Sequence, residues 1–251
     1  MIILENLMDV IHAWKNIGET PLQTLKRIRF EYGISNKIKS CYAGRLDPMA
    51  QGVLTLLFNE AIYWAPEYNH CSKQYRFQAI LGIGTDSYDA LGNITNVLNI
   101  TPEQALEYRD KMLALTGTWD QHLPPFSAYR YQGKKLWQHA RNGTLPSILP
   151  KKNITVYDIE AGDCIEIPLI QHKKEVFSDI SDMSSMGDFD IEKIINSWNN
   201  IESLSIWKLV FTVKVSSGTY VRSLVHDLGH ILGVPAHAFR ITRLCYYREI
   251  S

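Results

Sequence analysis

The chain has 251 residues, 45% of them apolar and 11% aromatic, and its 26 basic and 26 acidic side chains balance to a net charge of zero. A chain of that length and apolar share can bury a sizeable core, which excludes a wholly disordered chain. Its longest apolar runs are too short to cross a bilayer, and its opening Met1-Ile2-Ile3-Leu4-Glu5 has no basic n-region, so neither a membrane span nor a secretory signal is expected.

In chain order, Thr20-Pro21 reads as an N-cap followed by a first helical position. Leu22, Leu25, Ile28 and Tyr32 then fall near one face, and Gly33 stops the helix. Val53 to Phe58 is a continuous apolar run and reads as a buried strand. Tyr75, Phe77, Ala79 and Leu81 alternate with Arg76, Gln78 and Ile80, the pattern of a half-buried strand, before a Gly-, Thr- and Asp-rich loop from Gly82 to Gly92. Thr101-Pro102-Glu103-Gln104 is a capping box that opens a helix to about Leu115, and Lys134 to Asn142 reads as a short helix closed by Gly143. Trp207, Leu209, Phe211, Val213 and Val215 form a long strand, and Val221, Leu224, Val225, Leu228, Ile231 and Leu232 a helix ended by Gly233. No βαβ repeat appears, which predicts an α+β fold around a largely antiparallel mixed sheet flanked by helices.

The zero net charge hides an asymmetry. From Gln121 to Tyr157 the six charged residues, Arg130, Lys134, Lys135, Arg141, Lys151 and Lys152, are all basic, whereas Asp158 to Ile206 holds eleven acidic residues and three basic ones. A basic stretch suits a phosphate backbone. The acidic part, from about Gln171 to Ser203, reads as an insertion in a long hairpin between Ile154–Ile167 and Trp207–Val215. With one helical segment near Asp190 to Trp198, it is expected to be a surface excursion dispensable for folding. The cysteines Cys41, Cys71, Cys164 and Cys245 form no Cys-x-x-Cys pair, which argues against structural zinc and fits reduced thiols in a cytoplasmic protein.

Three places carry chemistry. Asp47 sits in Gly44-Arg45-Leu46-Asp47-Pro48-Met49-Ala50-Gln51, a rigid turn that runs into the buried strand at Val53. Arg222, in Ser216-Ser217-Gly218-Thr219-Tyr220-Val221-Arg222, projects from the first turn of a helix, and its planar fork suits a carboxylate. Tyr75, in Lys73-Gln74-Tyr75, is either a core aromatic or a platform for a base. The loop Gly84-Thr85-Asp86-Ser87-Tyr88-Asp89-Ala90-Leu91-Gly92 lacks the alternating acids and closing Glu of an EF-hand, so Asx turns explain it better than calcium.

The stretch Tyr42 to Leu54 resembles the active-site motif of the TruB family of RNA pseudouridine synthases, and Gly218-Thr219-Tyr220-Val221-Arg222 resembles a second motif of that family. Lys73-Gln74-Tyr75, the Thr85 to Gly92 loop, Pro124-Pro125-Phe126-Ser127-Ala128 with Gly133 to Gly143, and Gly233 to His237 with Arg243-Leu244 are similar to its remaining blocks. The resemblance runs in order from about Trp14 to Leu244. It implies a pseudouridine synthase fold that turns uridine into pseudouridine, an isomerisation without cofactor or metal, most simply in the TΨC arm (position 55) of tRNA. It makes Asp47 the catalytic carboxylate and Arg222 its partner. Tyr75 stacks on the base, Tyr220 and Leu244 wall the uridine pocket, and Arg130, Lys134, Lys135 and Arg141 meet the RNA backbone. The alternatives are a tRNA-binding folding chaperone of the same fold and a synthase for another RNA.

Four departures stand out. Tyr42 replaces a His that helps extrude the base, so it becomes the candidate for that work. Asn16 stands where a Pro follows Lys15. The acidic insertion is unusual, and the chain stops near the end of the synthase domain, so a single domain over 1–251 without a C-terminal RNA-binding domain is expected. A monomer with tRNA as partner is the corresponding expectation.

Overall fold

The computed structural model describes residues 9–182, 190–201 and 204–247. Its first half runs β1 (Val10–Lys15), α1 (Pro21–Glu31), β2 (Ser40–Ala43), β3 (Gln51–Phe58), a 3-10 turn and α2 (Ala65–His70), β4 (Ser72–Leu81), β5 (Ile83–Thr85), β6 (Ile94–Val97) and α3 (Pro102–Leu113). The second runs β7 (Gly117–His122), β8 (Arg130–Tyr131), β9 (Lys134–Lys135), α4 (Leu136–Arg141), β10 (Lys151–Pro168), α5 (Leu169–Asp182), α6 (Ile191–Asn199), β11 (Ser205–Val215), α7 (Val221–Leu232) and β12 (Ala236–Tyr247). The expected helices form where their caps place them. Thr20 with Gln23 and Thr101 with Gln104 make reciprocal capping boxes, each before a Pro at the first helical turn.

The central sheet has eight strands in the order β1-β3-β12-β4-β11-β10-β7, with β2 paired to β3. All pairings are antiparallel except β12 with β3. The largely antiparallel mixed sheet is therefore as the residues imply, but its strand β12, between β3 and β4, is not legible in them. Arg240 takes a left-handed φ of 49°, and two register shifts break the pairing of β12 with β4. Such bulges erase the period of two that marks a strand.

One face of the sheet carries Tyr75, Phe77, Ala79, Leu81, Phe211 and Val213, packed against Tyr108 and Met112 of α3 and Leu224 and Leu228 of α7. On the other face a second cluster joins Ile80, Ile206 and Phe239 to Leu169, Val176 and Ile180 of α5 and Ile194 and Trp198 of α6.

That second cluster corrects the reading of the acidic excursion. It has two helices, not one, and Trp198 is fully buried. The buried stripe of α5 is Leu169, His172, Val176, Asp179 and Ile180, at helical spacing, but two of its members are polar. His172 Nε2 lies 3.2 Å from Nε2 of His237, and Asp179 pairs with Arg240 at 3.2 Å. Both partners lie on β12. Each polar side chain reaches a partner on β12 across the interface, and such members hide the amphipathic pattern from a search for apolar residues. The excursion is a packed part of the sheet's second face. Among the described residues, no helix is long and apolar enough to cross a membrane.

Candidate active site

The loop between β2 and β3 carries Asp47. Its turn closes when Ala50 N–H donates to the Asp47 carbonyl at 3.0 Å, with Pro48 fixing the backbone between them. Two buried cations hold the loop. Lys15 is fully buried, and its ammonium donates to the carbonyls of Ala50 (2.6 Å), Asn16 (3.1 Å) and Pro48 (3.3 Å). Burial pushes its pKa down to about 8, against the opposing pull of Asp47 and Glu19. Arg243, also fully buried, donates to the carbonyls of Val53 (2.7 Å), Gly44 (3.0 Å) and Arg45 (3.3 Å). Gly52 has φ +116°, and a side chain there would run into the Arg243 backbone, so this close approach of β3 and β12 requires glycine.

Arg222 meets Asp47 from the other side. Its Nη2 lies 2.8 Å from Asp47 Oδ2 and donates to the Phe126 carbonyl at 3.1 Å. Its Nη1 lies 3.4 Å from Asp89 Oδ2 and donates to the Ser87 carbonyl at 2.8 Å. Asp89 is itself fixed by the Ser87 hydroxyl (2.6 Å) and Leu91 N–H (3.0 Å). Burial alone would lower the Arg222 pKa, but the Asp47 and Asp89 carboxylates hold it above its ordinary value. Arg222 is only 3% exposed while Asp47 is 39% exposed. The guanidinium is thus sealed in the protein and the carboxylate faces out of it.

Asp47 opens on a cleft of about 920 Å³, the size range of small-molecule sites. Tyr42, Tyr75 and Tyr220 all line it. Tyr75 sits in the sheet opposite Val213 of β11 and Arg243 of β12. The backbone of Tyr220 is pinned by buried Gln121, which accepts from its N–H at 2.9 Å and donates to its carbonyl at 3.0 Å. Burial, then the Asp47 charge, push the Tyr220 hydroxyl above its usual pKa, so it keeps its proton at neutral pH.

Of the four basic residues expected at a backbone, Lys135 and Arg141 line the cleft, beside Trp137. Both cations lie over the Trp137 ring, at 5.7 Å and 4.8 Å. Arg130 and Lys134 belong to the β8–β9 hairpin and are not among the lining residues. Leu244 is not among them either. It is exposed, and β12 presents Ile241 and Arg243 to the cleft instead. Asp89 enters the ion-pair network, although the residues of its loop suggested only Asx turns. Arg45, Lys73, Lys152 and Lys193 add charge that sequence reasoning left unassigned. Lys73 donates to the carbonyls of Asn69 and Cys71, and burial lowers its pKa to about 8. Buried lysines and arginines are rare, so neither Lys15, Lys73 nor Arg243 could be placed inside without the structure.

The arrangement offers an accessible carboxylate locked to a buried guanidinium, with aromatic walls and a basic approach. A family model described as TruB family pseudouridylate synthase (N-terminal domain) matches residues 32–176. A tRNA pseudouridine synthase B of Lactobacillus johnsonii is 32% identical over 203 residues, covering 80% of this chain and 57% of that protein. Its counterpart in Blochmanniella pennsylvanica is 27% identical over 252 residues, covering 95% and 80%. The counterpart in Francisella philomiragia is 30% identical, covering 95% and 65%. The chain thus spans less than two thirds of the first of these relatives. Among solved structures, a Cbf5-Nop10-Gar1 complex matches with a TM-score of 0.55 and 20% identity, over 94% of this chain and 48% of that one, which shows the fold. With its fold, its ordered motif blocks and the family match over more than half its length, the chain belongs to the TruB family of pseudouridylate synthases.

Proposed function

We propose that the protein is an RNA pseudouridine synthase that isomerises a uridine of tRNA, in the TΨC arm, with Asp47 as the catalytic residue. The observation that carries this reading is the Asp47–Arg222 pair, with the guanidinium buried and the carboxylate open to a basic, aromatic cleft. The relatives' name, tRNA pseudouridine synthase B, supports tRNA as substrate.

The chemistry follows from the residues. Pseudouridine formation breaks the N1–C1′ bond of uridine, turns the base and joins C5 to C1′. N1 ends with a proton and C5 loses one, so the balance needs no oxidant, reductant or co-reactant. A fixed carboxylate can take part covalently in that exchange. Arg222 orients Asp47 with a two-pronged fork anchored on Asp89, so little motion is left to the reacting oxygen. Tyr75 supplies the ring against which an extruded base stacks, Tyr220 a protonated hydroxyl, and Tyr42 the group that occupies the rim when the base leaves its helix. Lys135 and Arg141 neutralise phosphates, with Arg130 and Lys134 further out on the hairpin.

Asp47→Asn keeps the shape of the side chain and removes the carboxylate. We expect it to lower pseudouridine formation on an unmodified tRNA transcript by roughly a thousandfold or more while RNA binding persists. Turnover near wild type in the folded variant would remove the central claim.

A further inference from the structure

The α5–α6 excursion brings something to the cleft that the motif residues do not. Asp190, Lys193 and Ile194, at the start of α6, are among the cleft's lining residues. They sit with Asp86, Leu91 and Asn93 of the loop that carries Asp89.

This wall is rigid for stated reasons. Ile194 and Trp198 are buried in the second core, and Ser197 Oγ accepts from Ile94 N–H at 2.8 Å, which ties α6 to the end of that loop. Asp190 is occupied as the helix cap, its side chain accepting from Lys193 N–H at 3.2 Å. The Lys193 ammonium is exposed and, among the described residues, makes no ion pair. The excursion has two other lysines, both on α5, and neither lines the cleft. Lys173 donates to the Ile201 carbonyl. A single cation is therefore held at the cleft by a segment that is otherwise acidic. Acidic surroundings do not attract RNA in general. They admit it where one phosphate meets one cation.

We propose that α6 is a recognition wall for the RNA and that Lys193 contacts one backbone phosphate of the strand lying in the cleft, fixing its register relative to Asp47. The proposal rests on the reading of the protein as an RNA-binding enzyme and adds a substrate-positioning residue outside its motifs.

The test is binding of an unmodified tRNA transcript by fluorescence anisotropy over a series of salt concentrations, with wild type, Lys193→Gln, Lys193→Arg and Glu192→Gln. Lys193→Gln should weaken binding about three- to tenfold at low salt and reduce the log–log salt slope by roughly 0.7 to 0.9, the loss of one phosphate contact. Lys193→Arg should restore both. Glu192→Gln, on the neighbouring exposed position, should leave the slope unchanged. In turnover, Lys193→Gln should raise KM and leave kcat alone, because the proposed contact is to the RNA backbone and not to the reacting base or sugar. An unchanged slope for Lys193→Gln would overturn the proposal, and so would an equal slope change for Glu192→Gln, which would mark a diffuse field. The two readings fail separately: a wild-type protein that binds tRNA in this pattern without isomerising it sinks the assigned activity and leaves the wall standing.

Discussion

The Asp47 loop and the α5–α6 excursion are both fixed to β12, by opposite means. The loop is held by charged donors on its main-chain carbonyls, those of Gly44 and Arg45 by Arg243 of β12 and those of Pro48 and Ala50 by Lys15 of β1. The excursion is held mainly by apolar burial around Trp198, with the His172–His237 contact and the Asp179–Arg240 ion pair beside it. Charge-assisted hydrogen bonds are directional and set positions to fractions of an ångström. Apolar burial is non-directional and sets only that two surfaces meet. Where chemistry needs a carboxylate in one place the chain uses the first, and where it needs a wall it uses the second.

Substitution in each region should separate the two. Trp198→Ala removes the largest buried side chain of the excursion and should cost about 3–5 kcal/mol in urea unfolding, with turnover per folded molecule close to wild type. Arg243→Met strips charged donors from three carbonyls and should cost about 3 kcal/mol. It should also lower turnover strongly in molecules that remain folded, because the Asp47 turn loses its anchor. If both variants lose stability and activity in the same proportion, the distinction between the regions collapses.

Acid gives a subtler probe. Burial lowers the pKa values of His172, His226 and His237, the last two to about 4. The unfolded chain therefore takes up these protons first as pH falls from about 6.5, so stability present above that value is lost toward pH 4. Asp227, raised to about 6 by burial, acts with the opposite sign: it favours the folded state as pH falls through that value toward 3.8. His237→Gln should flatten the acid limb by up to roughly 1.4 kcal/mol per pH unit, measured by unfolding at stepped pH. An acid limb of unchanged slope would show that His237 takes up its proton in the folded protein as readily as in the unfolded chain.

The smallest effect is expected at the strand's edge. Leu244→Ala should change stability by less than about 0.5 kcal/mol and leave turnover intact, whereas Ile241→Ala should raise KM. A KM effect at Leu244 would return it to the uridine pocket.

What could be read from the residues divides along the same line. Asp47, Arg222, Tyr75 and Tyr220 were legible because they lie in ordered motif blocks, and the capped helices because Thr-Pro-x-Gln states its own boundary. The excursion was misread because His172 and Asp179 occupy positions where a helix shows apolar residues. Lys15 and Arg243 were invisible as anchors because their partners are carbonyls, which every residue carries. Lys193 was hidden in an acidic run whose total charge says nothing of which side chain meets the cleft.

The place of β12 in the sheet has a consequence for the order of assembly. It is the last of the described strands, yet it lies between β3 and β4, parallel to the one and antiparallel to the other. A ribosome delivers it after every other described strand, at about 5–20 residues per second. Until it arrives, β3 and β4 have no shared neighbour and the Asp47 turn lacks Arg243. A nascent or truncated chain therefore holds the Asp47 turn in an unfinished sheet, and the turn gains its Arg243 anchor only when β12 is in place.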